Sequence, residues 1–175
     1  MKLTEIARKT LEAYFDRKKF EPNADTKIKF SDKRACFVTL TINKNLRGCI
    51  GSLEARQELW KDVMQNALNA AFSDYRFSPL SKTELPKIKI EVSVLSEKKK
   101  ISFKNEKELL EKIDKKMGII LEKNGHGATF LPQVWEQISD KTEFLEHLSM
   151  KAGLNKDAWK QSEIYYYRVE AEEEK

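Results

Sequence analysis

The chain has 175 residues, of which 40% are hydrophobic and 35% charged, enough apolar content for one domain, or one domain with a small appended lobe. Its formal net charge is +5; the last six residues hold four acids and one base, so the preceding 169 carry +8. No apolar run approaches the roughly 18 residues of a membrane span. The N-terminus leads into an amphipathic pattern, not a signal peptide's apolar stretch. A cytoplasmic protein without a membrane association is the expectation.

The two cysteines, Cys36 and Cys49, form no Cys-x-x-Cys pair and are expected to be reduced. His126 and His147 are too widely separated to suggest a zinc site, so no structural metal is expected. A phosphate-binding glycine loop and a dinucleotide fingerprint are both lacking, and no cofactor is predicted. Basicity of this grade permits nucleic-acid contact without demanding it, because acids are interspersed with the bases outside Arg17-Lys18-Lys19 and Lys98-Lys99-Lys100.

Residues 3–19 place Leu3, Ile6, Ala7, Leu11, Tyr14 and Phe15 at helical spacing, and Glu21 to Asp25 breaks the helix. Cys36 to Ile42 alternates as a strand. A three-residue turn at Asn43-Lys44-Asn45 would pair Ile42 with Leu46, Leu40 with Gly48 and Val38 with Ile50, keeping the aliphatics on one face. Thr41 would then face Arg47, and Thr39 would face Cys49. Arg56 to Ser73 reads as a helix, followed by the polar-aromatic loop Asp74 to Leu80. Ile88, Ile90, Val92 and Val94 alternate with polar residues as another strand.

Asn105 suits the N-cap of a short helix through Ile113. Residues 118–122 and 127–131 form two strands joined by an Asn124-Gly125 turn, and Pro132 begins a helical turn. Asp140 with Glu143 starts a helix that ends at Gly153. A final strand, 163–169, carries Tyr165, Tyr166 and Tyr167, of which at most two can share a surface for base stacking. The pattern is α+β with hairpins, a mixed and largely antiparallel sheet packed with helices, in a single domain over 1–175. Residues 98–117 are the best candidate for a peripheral lobe or insert, and 170–175 form an acidic tail.

The densest chemistry lies in Leu46-Arg47-Gly48-Cys49-Ile50-Gly51. Alternation puts Arg47 and Cys49 on one face of a strand, where a guanidinium would favour the thiolate. Gly48 and Gly51 leave room for close approach to the backbone. Cys49 fits a nucleophile, a redox thiol or a ligand for a partner's metal, and equally a packed strand cysteine. Arg47 and Arg76 together suit a carboxylate or phosphate, so a small anionic ligand is one reading. Asp74 either pairs with an arginine to order its loop or orients one whose free edge meets a ligand. Glu91 and Gln133 are weaker candidates, and His126 is the best, though turn-exposed, general base.

Five ordered segments together resemble the AMMECR domain family: residues 46–51; 70–80; Glu84-Leu85-Pro86 with 91–95; 128–134; and Lys151-Ala152-Gly153-Leu154. The resemblance implies a mixed α/β fold with a larger sheet-containing lobe and a smaller one, and marks the Arg47–Cys49 segment as the family signature. Roles in transcription, RNA handling and catalysis have been suggested for such proteins, and prokaryotic relatives are associated with a Memo-like protein and a radical S-adenosylmethionine enzyme. An enzyme or substrate-handling component acting with such partners is the expectation; an RNA-binding or regulatory module and a pure interaction domain are the alternatives. Relatives often carry a cysteine just before the Lys-Ala-Gly-Leu segment, where this chain has Ser149, so a resolving thiol there is not expected.

Overall fold

A computed structural model describes residues 1–174. The elements in chain order are α1 (Leu3–Phe15), α2 (Ala24–Lys29), β1 (Cys36–Ile42), β2 (Asn45–Gly51), α3 (Leu59–Phe72) and β3 (Lys89–Leu95). They continue with β4 (Lys99–Lys100), α4 (Glu106–Lys112), β5 (Gly118–Lys123), β6 (His126–Phe130), α5 (Lys141–Lys151), β7 (Glu163–Tyr167) and β8 (Val169–Glu173). Two 3-10 turns, Pro132–Glu136 and Ala158–Gln161, flank α5. The α+β class follows from two four-stranded sheets, ordered β2-β1-β3-β8 and β4-β7-β5-β6. The chain divides into two compact units: residues 1–95 with the C-terminal stretch from 170, and residues 96–169.

In the first unit, Cys36, Val38 and Leu40 of β1 and Ile90, Val92 and Val94 of β3 point to one sheet face and are buried. They pack with Ile6, Ala7 and Leu11 of α1 and Val63, Ala67 and Ala70 of α3 in one apolar cluster. The opposite face carries Thr39, Thr41, Cys49, Lys89, Glu91 and Ser93 by the same alternation. Gly48 faces α3 so closely that a Cβ would lie 2.1 Å from the carbonyl oxygen of Ala70, which only glycine permits.

The β1–β2 connection differs from the expected three-residue turn. Ile42 pairs with Asn45 across a two-residue turn, with Asn43 at φ 52° and Lys44 at φ 65°. Positive φ at both positions matches the right-handed twist of a tight hairpin, and asparagine tolerates it well. A bulge then makes Arg47 the extra residue between the pairs Thr41–Leu46 and Leu40–Gly48. The bulge restores the expected register further along, with Thr39 opposite Cys49 and Val38 opposite Ile50.

Two further differences concern polar segments. The expected break at Glu21 to Asp25 leads directly into α2 from Ala24, because the Asn23 side chain accepts from the Thr26 N–H and caps it. The acidic tail is ordered through Glu174. Glu172 accepts from the Thr4 backbone and hydroxyl, both at 2.9 Å, and Glu174 pairs with the guanidinium of Arg8 at 2.5 Å.

The second unit builds its core from β5, β7, α4 and α5, with Trp135 stacked on Phe144 at 3.5 Å between ring centroids. Asn105 and Asp140 cap α4 and α5 as expected, and Asn124-Gly125 turns between β5 and β6 with both φ angles positive. Residues 98–117 contribute Ile101, Leu109, Ile113 and Met117 to this core. Ser149 is fully buried; its hydroxyl donates to the Leu145 carbonyl and accepts from the Trp159 N–H.

Candidate functional site

β2 is an edge strand, so alternate N–H and C=O groups face away from β1 and need partners elsewhere. At Cys49 the loop after α3 supplies both. Asp74, only 4% exposed, accepts from the Cys49 N–H at 2.9 Å, while Arg76 donates through Nη2 to the Cys49 carbonyl at 3.3 Å. Asp74 also accepts from the Arg76 backbone N–H at 3.2 Å and from Arg76 Nε and Nη2 at 2.9 and 2.7 Å. An aspartate that accepts from the residue two positions on closes a local turn. The same carboxylate therefore shapes its own loop, plugs the strand edge and aims the guanidinium.

The electrostatics follow. The Arg76 guanidinium, with the N–H groups of Cys49 and Arg76, outweighs burial and holds the Asp74 carboxyl well below the usual carboxylate range. Asp74 in turn raises Arg76, which stays cationic. Nε and Nη2 are committed to Asp74 and Cys49, but Nη1 has no hydrogen-bond partner among the described residues, and the side chain is 44% exposed. Tyr75 projects beside it at 95% exposure.

Arg47 is engaged differently. Its Nε and Nη2 meet the two carboxylate oxygens of Glu84 at 2.8 and 3.1 Å, and Nη2 approaches the Pro79 carbonyl at 3.4 Å. Glu84 also accepts from the Ser81 N–H and hydroxyl, and Arg47 followed by Ser81 brings it down to about 2. Phe77 sits between the two arginines, its centroid 6.0 Å from the Arg47 guanidinium carbon and 5.6 Å from that of Arg76.

The expected activation of Cys49 by Arg47 does not occur. Arg47 is the bulge residue and its guanidinium is drawn to Glu84, away from the thiol. Cys49 Sγ lies 3.1 Å from the Thr39 hydroxyl. Burial pushes the thiol up, and the carboxylates of Asp74 and Glu91 add to this, while Thr39 and Arg76 oppose it. Cys49 is thus mostly a neutral thiol near pH 7.

Among the other sequence candidates, Gly51 lies opposite Phe37, whose ring occupies the space a Cβ would need. Glu91 is opposite Thr39 and accepts from the Ser93 hydroxyl at 2.9 Å. Gln133 is exposed in the 3-10 turn Pro132–Glu136 and belongs to the second unit, as does His126, whose Nδ1 is 3.3 Å from the Ala152 carbonyl. Tyr166 packs against the second core and Tyr167 is buried, its hydroxyl 3.1 Å from that of Thr129. Burial pushes Tyr167 up to about 12. Tyr165 and Tyr166 are both half-buried, and the Lys98 and Lys100 ammoniums over the Tyr165 ring are paired with Glu122 and Glu163. Among the described residues no helix is long and apolar enough to cross a membrane, and no cluster of His, Cys, Asp and Glu has metal-holding geometry.

Sequence reasoning missed Glu84 and the buried network around Asp62. Glu84 sits in the Glu-Leu-Pro segment and carried no charge-pair signal with Arg47. Asp62, 5% exposed on α3, accepts from the Cys36 N–H and thiol, Ser52, Asn66 and Gln57. Its signal was legible as an acid and an amide, Asp62 and Asn66, four residues apart within the apolar stripe of a helix.

The AMMECR1 family model matches residues 4–173. A protein of Nanoarchaeum equitans is 39% identical over 179 residues, covering 99% of both chains. One from Methanocaldococcus jannaschii is 38% identical over 170 residues, covering 95% of this chain and 84% of its own. The crystal structure of an uncharacterized protein from Pyrococcus horikoshii superposes with a TM-score of 0.87 at 33% identity, covering 99% of this chain and 90% of that one. Matched over nearly its full length in sequence and fold, with Arg47, Cys49, Asp74 and Arg76 gathered on one strand edge, the chain belongs to the AMMECR1 family.

Proposed function

We propose that this protein is a non-covalent recognition component, which uses Arg76 to hold a carboxylate or phosphate presented by a substrate or protein partner. The observation that carries the reading is the division of labour on one guanidinium. Nε and Nη2 are fixed by Asp74, while Nη1 has no hydrogen-bond partner among the described residues, on a side chain 44% exposed. An arginine already held in place loses less side-chain entropy on meeting an anion than a free one does. Tyr75, 95% exposed, adds a large apolar contact of the type that dominates protein interfaces.

Thiol chemistry is the weaker reading, because Cys49 is half-buried with a raised thiol, and its side-chain hydrogen-bond partner among the described residues is the Thr39 hydroxyl, which is no base. The family association makes a Memo-like protein and a radical S-adenosylmethionine enzyme the first partners to try. Each, and inorganic phosphate, would be titrated against the wild type, Arg76→Lys and Tyr75→Ala. The reading expects binding to at least one, weakened in Arg76→Lys and unaffected by Cys49→Ser. Binding that survives Arg76→Ala but fails with Cys49→Ser would sink it.

A further inference from the structure

The polar face of the first unit's sheet carries a groove that the Arg76 site does not use. It has a volume of about 440 Å³ and is lined by Thr39, Thr41, Lys44, Lys89, Glu91 and Glu173, among others. That volume is within the range of small-molecule sites, roughly 300–1,000 Å³. Its floor is ordered by strand register: Thr39 is opposite Glu91, and Thr41 is opposite Lys89. Acid and base therefore stand two residues apart on β3, on the same side of the sheet, at a spacing of about 6.6 Å along the strand. Lys44 contributes a second ammonium from the hairpin turn, and Glu173 a second carboxylate from β8.

Several of these groups have capacity to spare. Glu91 is half-buried and uses Oε1 for the Ser93 hydroxyl at 2.9 Å; Oε2 has no hydrogen-bond partner among the described residues. The Thr41 hydroxyl is likewise uncommitted, and Lys44 makes no ion pair among the described residues. A half-buried carboxylate fixed by one hydroxyl is a receptor for a cation. The Thr41 hydroxyl, two residues along β1 from Thr39, and the Lys44 ammonium from the turn receive an anion.

We propose that this groove binds a small zwitterion of the free α-amino-acid type. Its ammonium is held by Glu91 and the Thr39 hydroxyl, and its carboxylate by Lys44 and the Thr41 hydroxyl. An α-amino acid carries both charges needed to bridge the Glu91–Thr39 receptor and the Lys44–Thr41 receptor, which neither a simple anion nor a simple amine can do. The inference does not rest on the Arg76 reading, since it uses neither Asp74 nor Arg76, although Thr39 also meets the Cys49 thiol at 3.1 Å.

The test is calorimetric titration of the intact protein with L-alanine, with acetate and methylammonium as the two half-ligands. Saturable binding of alanine is expected, with each half-ligand at least about tenfold weaker. Glu91→Gln, which keeps the shape and removes the charge, should weaken alanine by at least about tenfold at an unchanged urea midpoint. Lys44→Gln, at an exposed turn position, provides a second variant that does not depend on the sheet folding around position 91. Absence of saturable alanine binding would overturn the proposal. So would acetate or methylammonium binding as tightly as alanine, or alanine binding indifferent to both variants.

Discussion

Replacing Asp74 by alanine removes four hydrogen bonds at once, two of them from the Arg76 guanidinium and one from the outward N–H of an edge strand. Arg76 is 44% exposed and recovers hydration, so its charged bonds count for much less than a fully buried pair. The Cys49 N–H and Arg76 N–H lose a well-placed ionised acceptor, each costing about 1–2 kcal/mol. Together the expected destabilisation is about 2–4 kcal/mol, with Asp74→Asn near the lower end because one amide oxygen still accepts. Urea unfolding should report this as a lower midpoint at an unchanged slope. An Asp74→Ala protein within about 0.5 kcal/mol of wild type would refute the assignment of Asp74 as the clamp.

Three further outcomes follow from the same geometry. Asp74 and Glu84 are both depressed, so each stabilises the folded state above its unfolded value and loses that contribution as pH falls through its folded value. For Glu84 the window runs from 4.5 down to about 2, and Glu84→Gln should flatten the stability curve there by about 1–2 kcal/mol, measured by urea unfolding against pH. Cys49 should be alkylated by iodoacetamide more slowly than a free thiol and with a higher apparent pKa. Arg76→Ala should raise it further and Arg47→Ala leave it unmoved; a fall in Arg47→Ala rate would restore Arg47 as the activating cation. Gly48→Ala should cost about 3 kcal/mol, because the added Cβ meets the backbone oxygen of Ala70 at 2.1 Å; an unperturbed melting curve would contradict the close packing of β2 on α3.

The elements with strong periodicity were legible in the sequence. The alternation in β1 and β3, the apolar stripes of α1 and α3, and the Asn-Gly turn between β5 and β6 all formed where local pattern and tertiary burial agree. The β1–β2 turn was harder, because two arrangements bring the same aliphatics to the core. A two-residue turn with a bulge and a three-residue turn without one differ only near Leu46 and Arg47. That small difference decided the chemistry, since it sent Arg47 to Glu84 and left Arg76 as the cation beside Cys49.

The C-terminal strand was hidden for a different reason. Residues 170–174 have the composition of a solvated tail, and their order comes from distant partners. Thr4 and Arg8 on α1, together with the Ile90 backbone N–H, donate to the carboxylates of Glu172 and Glu174. No local signal encodes such a pairing. The Asp74–Arg76 pair lay between these extremes: Asp-x-Arg after a helix announces a self-ordered loop, but the strand that the loop would plug is set by the fold alone.

The most direct test of the central claim is the Arg76 guanidinium itself, followed by side-chain nitrogen NMR while phosphate or a binding partner is added. The account predicts slowly rotating, dispersed Nη signals in the free protein, with Nη1 shifting on addition and the response lost in Asp74→Asn. A freely rotating Arg76 in the wild type, or an Nη1 silent to every anion and partner while Cys49 responds, would contradict it.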